Sequence, residues 1–191
     1  AALLLLVVFA IKAAALPLGL WLTGTYGVAR GHVAALFAIM TKVGIYAIAR
    51  VYGSLFDSGP FAGLVLPWLL ALGPATLLLG ALGALAARDL RMLVAWLVIG
   101  SAGTLLTALA LGTADATAAA LFYMPHSTFA AGAAFLVVEL IARARAGAAE
   151  PQPEHYLVAS LQPVRGAAVT GTLFFVIAVV IAGLPPGSGF I

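Results

Sequence analysis

Six apolar stretches of about 20 residues, joined mostly by short polar connections, leave this chain few folds to choose from. They run over about 1–22, 33–55, 62–87, 91–112, 116–142 and 167–183. A bilayer's hydrocarbon core is about 30 Å thick, and a helix rising 1.5 Å per residue crosses it in roughly 20 residues. No water reaches that core, so each segment must satisfy its own backbone N–H and C=O groups, which a helix does. The expected fold is an all-α integral membrane protein of about six transmembrane helices. Only 8% of the residues are charged, against about 25% in a soluble domain, which excludes an ordinary soluble globule. Cysteine is absent, which excludes a disulfide framework, thiolate chemistry and a cysteine-based metal site. No nucleotide, haem or metal motif is visible, so no cofactor is expected, nor a nucleic-acid partner. The first apolar run lacks a basic leader and an initiator Met. Residues 1–191 therefore read as a fragment truncated at both ends.

Arginine sets the orientation. Arg30, Arg88, Arg91, Arg143, Arg145 and Arg165 fall in connections on one side, while Arg50 stands alone on the other. Positive charge collects on the cytoplasmic side. The 23–32, 88–91 and 143–166 loops are therefore expected to be cytoplasmic, in a multi-pass protein of the inner (plasma) membrane. The longest connection, 143–166, carries the Pro, Glu, Arg and Gln of a solvated loop.

The two lysines of the chain, Lys12 and Lys42, both lie well inside apolar stretches. A charge at the bilayer centre costs roughly 2.5–3.5 kcal/mol on insertion scales. A lysine near a helix end escapes that cost by snorkelling, but these two are too central. At 1.5 Å per residue, Lys12, Lys42, His126 and the Gly183–Gly187 break fall at similar depth on four helices. That implies a polar layer near the midplane. A buried lysine exchanges its proton more readily than a solvated one, and histidine changes charge readily near neutral pH. Lys12, Lys42 and His126 are therefore candidates for a proton pathway. His126 also has a plainer reading, as an interhelical hydrogen-bond partner beside Tyr123, Ser127 and Thr128. No acid lies well inside a segment, so a counter-charge is expected from elsewhere.

Other polar residues read as structural. Glu139 is expected to form a helix-end ion pair with Arg143. Asp89, between Arg88 and Arg91, reads as a solvated loop acid. Trp21, Trp68 and Trp96 suit interfacial anchoring or packing. Pro17 is expected to break the first helix, and Pro185 and Pro186 the last. A broken helix frees backbone groups where water or an ion can reach them.

The runs FAIKAAALPLGLWL, LFAIMTKVGIYAIAR, LFYMPHSTFAAGAAFLVVELI and IAGLPPGSGFI resemble the antiporter-like subunits of Mrp-type multisubunit cation/proton antiporters. The similarity is greatest to the D subunit, and the superfamily also includes the proton-pumping membrane subunits of respiratory complex I. The resemblance implies that residues 1–191 are the second-repeat portion of an antiporter-like fold with two broken helices. It implies that Lys12 is the lysine of the first broken helix, Lys42 the connecting lysine of the next, and His126 the histidine of the HSTF-like segment. GLPPGSGF would be the second break. Pro125 stands beside His126 where the family usually has an aliphatic residue.

The expected function is that of a membrane subunit exchanging protons for Na+ or K+ within a hetero-oligomeric complex. The alternative is a proton-pumping subunit of a complex I-like NADH-quinone oxidoreductase or a membrane-bound hydrogenase, which would itself hold no redox centre. A transporter role is favoured over an enzymatic one, with no catalytic residue expected. A purely structural anchor is at odds with two central lysines.

Overall fold

The computed structural model describes residues 2–55, 65–160, 162–164 and 166–184. The described residues form helices α1 (Ala2–Lys12), α2 (Leu20–Tyr26), α3 (Gly31–Leu55), α4 (Leu66–Ala86), α5 (Leu90–Ala110), α6 (Ala114–Ala146) and α7 (Ala167–Ile181), with a short 3-10 turn at Pro153–Tyr156. The expected six segments are present, the first divided between α1 and α2. Helices α3 to α6 are each long and apolar enough to cross a membrane, and α1 and α7 are shorter apolar helices. Pro185 and Pro186 lie outside the described residues.

Helix ends shift from the expected bounds for local reasons. Helix α2 runs to Tyr26 because the Thr23 and Thr25 hydroxyls donate back to the carbonyls of Leu20 and Trp21, so polar residues stay inside the helix. With α3 starting at Gly31, the expected 23–32 loop contracts to 27–30. Helix α6 runs to Ala146, so Arg143 and Arg145 belong to its last turn, where cations complement the helix dipole. Arg143 Nε lies 3.1 Å from Glu139 Oε1, one turn back. The expected 143–166 loop therefore begins at Gly147. Pro125 sits within α6 without ending it.

Packing depends on small residues. A Cβ on Gly73 would stand 2.7 Å from the Thr107 amide nitrogen, and one on Gly80 would stand 2.5 Å from that of Gly100. Helices α4 and α5 thus meet backbone to backbone, the close approach that glycine allows in lipid. The Trp96 ring fills the space beside Gly83, so this tryptophan is a packing residue.

The connection after α6 folds back over the helix ends. Arg145 donates to the carbonyls of His155 and Leu157 at 2.8 and 2.9 Å. The Val158 amide donates to Arg88 O at 2.9 Å. Tyr156 is buried, lies under the Arg91 guanidinium at 3.6 Å and donates its hydroxyl to Glu139 Oε2 at 2.9 Å. Glu139 also accepts from the Gly31 amide at 3.4 Å. The carboxylate therefore ties the first residue of α3, the last part of α6 and the loop together, beyond the expected ion pair. Asp89 departs from its expected role. It is the N-cap of α5, accepting from the Arg91 and Met92 amides at 2.7 and 3.2 Å. An aspartate just before an apolar helix satisfies amides that lack intrahelical partners.

Burial and the Glu139 carboxylate push the Tyr156 phenol up to about 12, against the opposing pull of Arg91 and Arg143. A group whose folded pKa is raised contributes stability below its unfolded pKa of about 10, lost as pH rises through the folded value. Limited proteolysis of the 147–160 segment should therefore accelerate between about pH 10 and 12. Tyr156→Phe should already be cleaved faster at neutral pH, having lost the bond to Glu139. Cleavage independent of both changes would show that the phenol does not hold the loop.

Candidate proton pathway

The interruption in the first segment has a definable backbone geometry. After Lys12 the chain turns through Ala14, whose φ of 56° is left-handed. The Ala14 amide donates to Ile11 O at 3.2 Å and the Ala15 amide to Ala10 O at 2.9 Å. These are the paired bonds of a Schellman termination, which usually places glycine at the left-handed position. An L-residue there costs about 1–2 kcal/mol. Helix α7 ends the same way. Gly183 has φ 67°, its amide donates to Val180 O, and the Leu184 amide donates to Val179 O, each at 3.2 Å. Side chains brace the first break. The Trp21 indole donates to Ile11 O at 2.9 Å, and the Leu16 amide donates to Thr76 Oγ1 of α4 at 2.9 Å. A Cβ on Gly19 would overlap the Ala14 carbonyl, so only glycine lets the two halves approach.

Lys12 is the last residue of α1. Helix α3 meets it at Gly44, where a Cβ would stand 2.7 Å from the Ala13 nitrogen and 3.0 Å from Lys12 Cβ. Gly44 is two residues beyond Lys42, about 3 Å along the helix axis, so the two lysines share a level. They do not share an environment. Lys42 is only 3% exposed, whereas Lys12 is exposed on the described chain. Ala13, Ala14 and Ala15 are packed at the break, each at most 1% exposed.

Lys42 Nζ donates to Ser101 Oγ of α5 at 2.5 Å, and Ser101 Oγ in turn donates to Val98 O at 2.8 Å. Ser101 also lines a cavity of about 210 Å³ together with Thr104, Tyr123, His126 and Ser127. A water needs roughly 10–15 Å³ of such space and two to four polar partners. The cavity therefore has room and hydrogen-bonding groups for several waters. His126 is half-buried on its wall, its ring centroid 5.8 Å from that of Tyr123. A second cavity of about 370 Å³ shares Val94, Leu97 and Ile181 with the first, and only apolar residues line it. Of the three candidate residues, His126 lines this cavity, and Lys42 contacts its wall through Ser101. Ser101 and Thr76 were not legible in the sequence as members of the site, since a lone hydroxyl in an apolar helix carries no periodic signal.

The family model described as "NADH:quinone oxidoreductase/Mrp antiporter, TM" matches residues 1–191. The chain belongs to this family. It is 38% identical over 201 residues to a protein of Rhizobium meliloti (strain 1021) named as the D subunit of a probable K(+)/H(+) antiporter, covering 97% of this chain and 37% of that protein. It is 34% identical to the D subunit of a Na(+)/H(+) antiporter of Bacillus subtilis (strain 168), covering 98% and 36%. The chain thus spans little more than a third of the length of these relatives. The solved Mrp complex from Dietzia sp. DQ12-45-1b matches with a TM-score of 0.77 at 28% identity, over 97% of this chain and 33% of that one. An archaeal respiratory membrane complex, the membrane-bound sulfane sulfur reductase, matches with a TM-score of 0.83 at 22% identity, over 95% and 36%. That likeness shows a common fold alone. Family and structure together make this a multi-pass membrane protein.

Ala14 offers a direct check on the break. Ala14→Gly should raise the thermal midpoint of the purified full-length complex, because glycine relieves roughly 1 kcal/mol of left-handed strain. Ala14→Val should lower it, since a β-branched residue fits that conformation worse. Equal midpoints in the two variants would rule out a left-handed residue at this turn.

Proposed function

We propose that residues 1–191 are the second-repeat portion of a membrane subunit that exchanges protons for Na+ or K+ within a multisubunit antiporter, with Lys12, Lys42 and His126 as proton carriers. The observation that carries this reading is the contact of buried Lys42 with Ser101, which opens on the cavity walled by His126. A buried lysine has a functional role by default. In this one, the ammonium has a hydroxyl acceptor and a space for water beyond it. Lys12, level with Lys42 at the edge of the first break, would pass protons to or from that helix. Its exposed side chain fits a counter-charge supplied from outside these residues. The relatives named as antiporter subunits favour exchange over a redox-driven pump, which would use the same residues in another assembly. The partners in this reading are the other subunits, the exchanged ions and the bilayer.

Lys42→Ala in the full-length complex should reduce cation-driven proton exchange in membrane vesicles by about 10²-fold or more, the scale of removing an obligatory proton-transfer group. Lys12→Ala should do likewise, with complex assembly unchanged. Lys→Arg should rescue little, since arginine does not release its proton at a pKa above about 12. His126→Ala should hurt less, because waters and hydroxyls remain in the cavity. Normal exchange in both alanine variants would leave the lysines as packing residues.

The arginine distribution supports a cytoplasmic 147–160 segment in the plasma membrane. Single cysteines there should resist an impermeant thiol reagent added from outside, while cysteines at 111–113 should react. The opposite pattern would invert the topology.

A further inference from the structure

The break between α1 and α2 contains a donor that its own chain does not satisfy. The Schellman bonds account for the amides of Ala14 and Ala15. Pro17 has no N–H. The Leu16 amide lies between them and donates across to Thr76 Oγ1 at 2.9 Å. Thr76 is 0% exposed, and its own hydroxyl proton is committed to Leu72 O at 2.6 Å. Its lone pair is thereby aimed at the break. An unpaired amide there would lack a protein partner beside the packed alanines.

We propose that Thr76 is a positioning residue for proton exchange: its hydroxyl, reaching from α4, holds the interrupted backbone that ends at Lys12 in its non-helical path. This rests on the reading of Lys12 as a proton carrier. The geometry makes the dependence short. Leu16 is four residues from Lys12, and the Ala13–Ala15 turn between them is fully packed. Helix α3 contacts that same turn through Gly44. If the Leu16 amide loses its acceptor, the turn must move to find another. Lys12 then shifts relative to Gly44 and Lys42.

Valine matches the volume of threonine without the acceptor, and serine keeps the acceptor with less volume. In the full-length complex, Thr76→Val should lower cation-driven proton exchange about tenfold, within the range expected for orphaning one buried donor. Subunit levels should be unchanged, and Thr76→Ser should retain most of the exchange. A cysteine placed at Ala15 reads the backbone directly, in a full-length complex whose other accessible cysteines are replaced. It should resist a membrane-permeant maleimide when Thr76 is present and react when Thr76 is valine. Wild-type exchange in Thr76→Val, or a serine variant as defective as the valine one, would overturn the proposal. If Lys12→Ala exchanges normally, the Lys12 reading fails and the positioning role falls with it. The Ala15 labelling would still report whether Thr76 holds the turn.

Discussion

A helix that stops part-way across a bilayer must find partners for the backbone groups it releases, and this requirement shapes the first half of the structure. In water a frayed helix end is solvated; in hydrocarbon each orphaned group costs several kcal/mol. The chain answers with three devices. A Schellman turn pairs the Ala14 and Ala15 amides with Ile11 and Ala10. Trp21 returns from α2 to give the Ile11 carbonyl a second donor. Thr76 takes the Leu16 amide. The same turn ends α7 with Gly183 at the left-handed position. The first break uses alanine instead, and so stores backbone strain next to a charged residue.

Those devices set the surroundings of the two lysines. Three packed alanines form the turn next to Lys12, which is exposed on the described chain, while Lys42 is enclosed. Gly44 brings the turn against α3, which keeps the two residues level. At the other end of α3, Glu139 binds the Gly31 amide and the Tyr156 hydroxyl. Helix α3 is thus held near its start by α6 and near its middle by the broken segment. A helix held at two points has little freedom to slide, and its buried ammonium keeps one partner on α5.

Much of this was legible in the sequence, and the rest was hidden for identifiable reasons. Apolar runs of bilayer length give the six segments, because length and hydropathy are local properties. Pro17 marks the first break, because a missing N–H and a fixed φ act wherever they occur. Helices extend past the apolar runs to Tyr26 and Ala146. There, threonine hydroxyls and an Arg143–Glu139 pair extend helices through residues whose polarity suggested loops. Asp89 departs from expectation for a related reason, since a helix cap and a loop acid look alike until the following amides are seen. Lys42 stood out as a charge in an apolar run. The side toward which Lys12 points depends on which neighbour fills the core, and that is a property of packing between segments 30 or more residues apart. Ser101 and Thr76 gain their meaning only from partners 59 and 60 residues away.

The hydroxyl of Ser101 sets a further condition on the proposed pathway. A hydroxyl has one proton to give and lone pairs to receive. Here the proton goes to Val98 O while a lone pair receives Lys42. In that arrangement a proton on Lys42 has an acceptor, but nothing passes onward, because the serine's own proton points at the backbone. Delivery toward His126 needs the hydroxyl to leave Val98 O and turn to the cavity, giving up one hydrogen bond of about 1 kcal/mol net. A water in the cavity can accept it, and the Val98 carbonyl keeps its place in the α5 ladder. The free-energy cost of opening this link would therefore be small, and the link would stay closed whenever the cavity offered no acceptor. In the proposed pathway, buried Lys42 and half-buried His126 would thus be connected only conditionally, through a hydroxyl that turns from the backbone to water.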